Sequence, residues 1–165
     1  MLGVSVMAIN VPKEYEVPLY LFHQGKNAEA YKLFGSHFAK KDGVSGVVFR
    51  VWAPKAADVS VVGDFNHWNR EESYMKKISD GGIWELFIPG LKKFDNYKYS
   101  IKTERGQIKL KADPYGYHME TRPNTASKVY DISGYNWKDS KWMDEKKTKD
   151  VYRSPMNIYE VHLNS

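Results

Sequence analysis

The chain has 165 residues, 42 % of them hydrophobic and 15 % aromatic, which is enough to bury one core and leave attachments outside it. It contains no cysteine, which excludes a disulfide framework and thiolate metal sites and fits a reducing compartment. Its net charge of +5 does not form a phosphate-tracking stripe, because acids (Asp139, Asp144, Glu145, Asp150) interrupt the lysines of residues 138–153.

Other classes are excluded by spacing. The five histidines (His23, His37, His67, His118, His162) show no metal-ligating pattern, so no metal and no cofactor are expected. The opening MLGVSVMAINV lacks the basic region and long apolar core of a signal peptide. No stretch approaches the roughly 18 apolar residues of a membrane span. The expectation is a cytoplasmic protein with neither nucleic acid nor membrane as partner.

In chain order, residues 1–15 carry little pattern. PLYLFH, residues 18–23, predicts a short helix, with proline in its first turn and Gly25 beyond its end. Residues 28–34 predict a second, N-capped by Asn27 and stopped by Gly35. A polar turn over residues 40–45 leads out of this arm.

From Gly46 the period becomes that of strands. Runs at 47–53, 58–62, 83–88, 97–103, 107–112 and 126–130 are separated by strong breakers: Asp80-Gly81-Gly82, Pro89-Gly90, Arg105-Gly106 and Asp113-Pro114. Residues 97–103 and 107–112 read as a hairpin. No helix-length periodic run interrupts residues 46–130, so the fold class is all-β, a sandwich, and not a βαβ arrangement. In Phe49-Arg50-Val51-Trp52 a large aromatic shares the outer face with arginine. That face is expected to be covered in part, by the N-terminal arm or a neighbouring domain, with Trp52 buried at the contact. Trp84, inside IWELFI, is expected in the core.

Residues 133–154 read as a charged linker, with Trp137 and Trp142 tying it back to a surface. Residues 155–163 then form a good strand with no following strand to pair with. They look like the start of a further domain.

The candidate site is the loop GDFNHW, residues 63–68. With twelve tyrosines and five tryptophans, aromatics are abundant; sandwiches bury many, and amphipathic rings also favour partly exposed binding surfaces. Trp68 ends a β-hairpin beside short polar side chains, as an indole presented to the apolar face of a sugar ring would. Its N–H is expected to be free for a partner. Asn66 could orient a ring, although such a residue commonly caps its own turn.

Several blocks then carry a resemblance: LYLFHQG (19–25), FRVWAPKAADVSVVGDFNHW (49–68), GIWELFIPG (82–90), YKY (97–99), KADPY (111–115), RPNTAS (122–127) and NIYEVHL (157–163). Over residues 19–165 the chain resembles the N-terminal region of bacterial 1,4-α-glucan (glycogen) branching enzymes. The FRVWAP…GDFNHW block is common to glycogen- and starch-binding modules of α-amylase-family enzymes, and RPNTAS followed by IYEVHL narrows it. Asn164 stands where the family commonly has glycine.

The resemblance implies an immunoglobulin-like β-sandwich. Its bounds would be an N-terminal arm with short helices (1–45), a glucan-binding module (46–132), a linker (133–154) and the first strand of an (α/β)₈ catalytic barrel (155–165). Such a barrel needs about 250 residues. The family's nucleophilic aspartate, acid/base glutamate and transition-state-stabilising aspartate have no matching positions here. No catalytic residue is therefore expected, and Glu160 reads as structural. The resemblance adds Lys98 as a lysine that hydrogen-bonds sugar hydroxyls beside Trp68. Related kinase-regulatory modules carry a second tryptophan near the position of Ile108, which is absent here. The expected role is α-glucan binding (glycogen, maltooligosaccharides) and docking to a catalytic barrel of the same polypeptide. The alternative is a purely structural brace.

Overall fold

The computed structural model describes residues 11–163. They divide into two units, one ending at Ile132 and the other beginning at Ser133.

The first unit opens with helix α1 (Lys13–His23), five residues earlier than PLYLFH predicts. Glu14 and Glu16 in the first turn complement the positive end of the helix. They carry the helix past the proline signal, so Pro18 lies inside it. Gly25 follows at φ +67°, a left-handed conformation that glycine adopts without strain. The second predicted helix is only a 3₁₀ turn, Ala30–Lys32, and the side chain of Asn27 accepts from the backbone N–H of Glu29.

Strand β1 (Gly35–Lys41) comes next, where the sequence suggested arm and turn. Its polar run GSHFAKK has no apolar alternation, as suits an edge strand. The predicted runs become β2 (Val44–Trp52), β3 (Ala56–Gly63), β5 (Ile83–Pro89), β6 (Asn96–Thr103), β7 (Ile108–Lys111) and β9 (Ser127–Lys128). Two short strands escaped prediction, β4 (Lys76–Ser79) and β8 (His118–Met119).

One antiparallel sheet has the order β1-β2-β5-β4. The other has the order β3-β6-β9-β8, with β7 also paired to β6. The two form the expected immunoglobulin-like sandwich. Alternate residues explain why: Val47, Phe49 and Val51 of β2, Trp84 of β5, Val59 and Val61 of β3, and Tyr97 and Tyr99 of β6 face one shared core. Each such side chain stabilises the fold by about 1.5–3 kcal/mol relative to exposure. Trp84 is in the core as expected, its indole N–H donating to Ala53 O at 3.0 Å.

A polar seam joins the sheets inside that core. Asp113 Oδ2 accepts from the hydroxyls of Tyr97 at 2.6 Å and Tyr99 at 3.1 Å, and its Oδ1 accepts from the backbone N–H of Tyr115. Burial pushes the Asp113 carboxyl above the usual carboxylate range and drives both tyrosines upward as well.

The outer face of the four-stranded sheet is covered by the arm. Leu19, Leu33 and Phe34 pack on Ile78 and Ile83 as a second cluster, joined by Phe22 and Tyr15. Arg50, on that face, donates to Glu85 at 2.6 Å and to Leu33 O, bonds the Tyr15 hydroxyl, and lies 4.3 Å from the centre of the Tyr15 ring. Trp52 is not buried, as was expected, but 48 % exposed. It meets the edge of Phe22 at 5.4 Å and donates to Gly81 O.

In the second unit, the stretch read as linker contains helix α2 (Ser140–Thr148). Trp137 and Trp142 are exposed. Trp137 pairs with Tyr135, and Lys146 lies over Trp142. Residues 155–163 form no strand, because a strand needs a partner ladder and none lies beside them in this unit.

Candidate functional site

The site starts from the turn after β3. Gly63 admits no side chain, since a Cβ would come within 2.2 Å of Asn96 O and 2.4 Å of the Phe65 ring. A single 3₁₀ turn, Asp64–Asn66, follows. His67 and Trp68 then both take left-handed backbone angles, φ +51° and +61°. Two consecutive non-glycine residues there cost on the order of 1–3 kcal/mol each.

Asn66 holds this conformation. Its Oδ1 accepts from Gly63 N at 2.9 Å, and its Nδ2 donates to Val61 O at 3.0 Å and to the Ser73 hydroxyl at 3.1 Å. At 3 % exposure, with its amide occupied inside the loop, it has no group to offer a sugar. The expectation that Asn66 orients a ring directly is corrected to the capping role.

Trp68 is 39 % exposed. Its indole N–H is not free, as expected, but donates to Asp64 Oδ1 at 3.0 Å. The other carboxylate oxygen of Asp64 accepts from Asn96 Nδ2 at 2.9 Å. The indole is thereby fixed in orientation, and its apolar face remains the part available for contact.

Lys98 lies on β6 one residue from the core-facing Tyr97 and Tyr99, so it points to the outer face of the five-stranded sheet. Its ammonium donates to the Thr125 hydroxyl at 2.8 Å. Trp68 and Lys98 share one shallow, open recess of about 390 Å³, completed by Leu110, Glu120, Pro123, Asn124 and Thr125. The Glu120 carboxylate accepts from the backbone N–H of Ala126 at 2.9 Å, which shapes the loop 121–125.

Three parts of this recess escaped sequence reasoning, Glu120 among them. Pro123, Asn124 and Thr125 belong to RPNTAS, which carried the resemblance but was given no contact role. Leu110 lies on β7, paired with Ser100, and its alternation with Ile108 marked only a strand. The signal that could have found it is the exposed apolar pair itself, both residues being 55 % exposed.

A flat ring face, an ammonium, a hydroxyl, an amide and an aliphatic wall in an open recess suit a polyhydroxylated ring with one apolar face. Among the described residues, no group of three or more His, Cys, Asp or Glu could hold a metal ion, and no helix is long and apolar enough to cross a membrane.

The family model of carbohydrate-binding module 48, the isoamylase N-terminal domain, matches residues 33–116. The 1,4-alpha-glucan branching enzyme GlgB of Bacillus subtilis (strain 168) is 51 % identical over 159 residues, 96 % of this chain and 25 % of that protein. The enzyme of the same name from Thermosynechococcus vestitus is 46 % identical over 158 residues, 96 % of this chain and 20 % of that protein. The chain thus spans a quarter or less of these curated relatives. Among solved structures, apo pullulanase from Klebsiella pneumoniae is 27 % identical, covers 65 % of this chain and 12 % of its own, and superposes with a TM-score of 0.50.

Proposed function

Because the chain belongs to the carbohydrate-binding module 48 family, we propose that it binds α-glucan without catalysing a reaction, as the glucan-holding and docking region of a glycogen branching enzyme. The whole enzyme would transfer α-1,4-linked segments to 6-hydroxyls to make α-1,6 branches. A cysteine-free chain fits a cytoplasmic setting for that work.

The observation that carries the reading is the Trp68 loop. Two left-handed residues and a buried asparagine hold the indole with its face open to solvent, and strain of this kind concentrates at binding sites. Trp68 stacks on the ring, Lys98 and Thr125 meet hydroxyls, and Leu110 walls the recess. Asn66 shapes the loop without touching the sugar. Residues 155–163, an apolar run lacking a partner ladder, suit the first strand of a catalytic barrel.

Retardation on glycogen-containing native gels tests this. Trp68→Ala should lose about tenfold in affinity, the worth of one aromatic contact at its upper end, with an unchanged melting temperature. Equal mobility of wild type and variant overturns it. The second reading, a brace that never meets sugar, is favoured by the absence of a second tryptophan near Ile108. No heat and no tryptophan quenching with millimolar maltoheptaose would support it.

A further inference from the structure

The outer face of the five-stranded sheet carries a second aromatic feature that the recess at Trp68 does not use. The register pairs Asn96 with Lys128 and Lys128 with His118, so all three share one face. Asn96 precedes the core-facing Tyr97, which makes this the face that bears Lys98. Two strand spacings, about 10 Å, separate Asn96 from His118. At the far side of that distance His118 and Tyr130 lie with ring centres 5.2 Å apart, and Phe94 meets them at 5.5 and 5.6 Å. The ammonium of Lys93 lies 4.0 Å from the centre of the Tyr130 ring.

The display of Phe94 is built in. The residue is 51 % exposed, and its backbone is left-handed at φ +77°, an outlier for a bulky side chain. Hydrogen bonds over-determine that conformation: Phe94 N donates to Val129 O at 2.8 Å, Val129 N to Asp95 O at 2.9 Å, and Lys92 N to Asp95 Oδ2 at 2.7 Å. Packing does not require the arrangement, since the ring so placed stays half in solvent. His118 Nδ1 bonds Met119 O at 3.0 Å, so in the neutral ring that nitrogen donates and Nε2 is left as an acceptor.

We infer that Phe94, His118, Tyr130 and Lys93 form a second ring-binding ledge, which takes another glucose unit of the same α-glucan chain that Trp68 holds. The inference rests on the reading of Trp68 above and extends it to a longer ligand. The open face of Phe94 receives the ring, and Lys93 and His118 Nε2 supply a donor and an acceptor for hydroxyls. Asn96 and Lys128 lie along the path between the two positions.

Calorimetric titration of the whole chain with maltotriose and with maltoheptaose or longer chains tests this. The variant of choice is Phe94→Gly, because glycine accepts φ +77° and the fold survives loss of the ring. Its melting temperature should equal or exceed that of the wild type. Phe94→Gly should weaken the longer chain about fivefold, as expected for one lost ring contact, and leave maltotriose unchanged. Lys93→Ala should act in the same direction, and Phe94→Tyr should restore binding. Wild-type affinity of Phe94→Gly for the longer chain overturns the ledge. If Trp68→Ala then still weakens both ligands, the reading of Trp68 stands. If Trp68→Ala binds normally while Phe94→Gly does not, that reading fails and the ledge alone holds the glucan.

Discussion

The sandwich has two outer faces, and the chain treats them in opposite ways. On the four-stranded sheet, Ile83, Ile78 and Arg50 lie under α1 and the 3₁₀ turn that follows it, with Leu19, Leu33 and Phe34 all under 8 % exposed. On the five-stranded sheet, Lys98 and Leu110 open to a recess, and Trp68 and Phe94 keep 39 % and 51 % of their surface. Both faces carry large aromatics, so aromatic content does not tell them apart. What differs is backbone: the covered face is made by ordinary strand and helix geometry, whereas Trp68 and Phe94 are both held in left-handed conformations. Aromatics that pack need no strain, and strain that exposes an aromatic marks a candidate contact.

The comparison breaks most sharply on the covered side. Phe34 is fully buried, contacts Phe22 at 4.5 Å, and stacks with Tyr115 at 5.3 Å. Phe34→Ala should cost about 3–5 kcal/mol of unfolding free energy, seen as an early denaturant midpoint. Below that midpoint glucan affinity should stay at the wild-type level. A variant that lost sugar binding while still folded would show that the two faces are coupled and that the covered one is not merely structural.

Asn66 tests the boundary between the two. Asn66→Ala removes three hydrogen bonds and leaves Gly63 N–H and Val61 O buried and unpaired. The expected cost is about 1–3 kcal/mol in a chemical-denaturation curve, together with weakened glucan retention. Stability lost with binding unchanged would mean that the loop does not set the Trp68 orientation.

Much of this contrast was legible in the sequence, and the failures have physical causes. The alternating runs of β2, β5 and β6 announced themselves through Val47/Phe49/Val51 and Tyr97/Tyr99, because burial on one face imposes period two. β1 did not, since an edge strand such as GSHFAKK buries little and keeps polar residues. Trp68 and Lys98 were legible as candidates, one from the loop and one from the resemblance, and they line one recess. Asn66 stayed open between contact and cap in the sequence, because its short amide suits a sugar as well as it suits a turn, and its hydrogen bonds within the loop favour the cap. The Phe94 ledge was invisible, since its rings come from residues 94, 118 and 130 and only strand register brings them together.

The seam between the faces has a pH signature. The Asp113 carboxyl is raised in the folded protein, chiefly by burial. Between the ordinary aspartate value and that raised one, the folded state keeps a proton that the unfolded chain has lost. Stability from this group is therefore complete below the unfolded value and declines as pH rises through the folded one. Wild type minus Asp113→Asn should show that negative slope in unfolding free energy across the mildly acidic range. A positive slope in the difference would mean that the Tyr97 and Tyr99 hydrogen bonds outweigh burial.

The smallest effect sharpens the open face alone. Asp64 is exposed; it receives the Trp68 indole N–H on one oxygen and Asn96 on the other. Asp64→Ala frees the indole to turn while leaving its ring present, so stability should change by no more than about 0.5 kcal/mol, as for an exposed site. Glucan affinity should fall about two- to threefold, since ordering the free indole on binding costs roughly 0.5–1.5 kcal/mol. Asp64→Asn keeps an acceptor oxygen for the indole and should recover most of that loss. The same fall in both variants would assign the effect to the carboxylate charge and not to the fixed ring, and the case for a pre-set indole would then rest on the backbone alone.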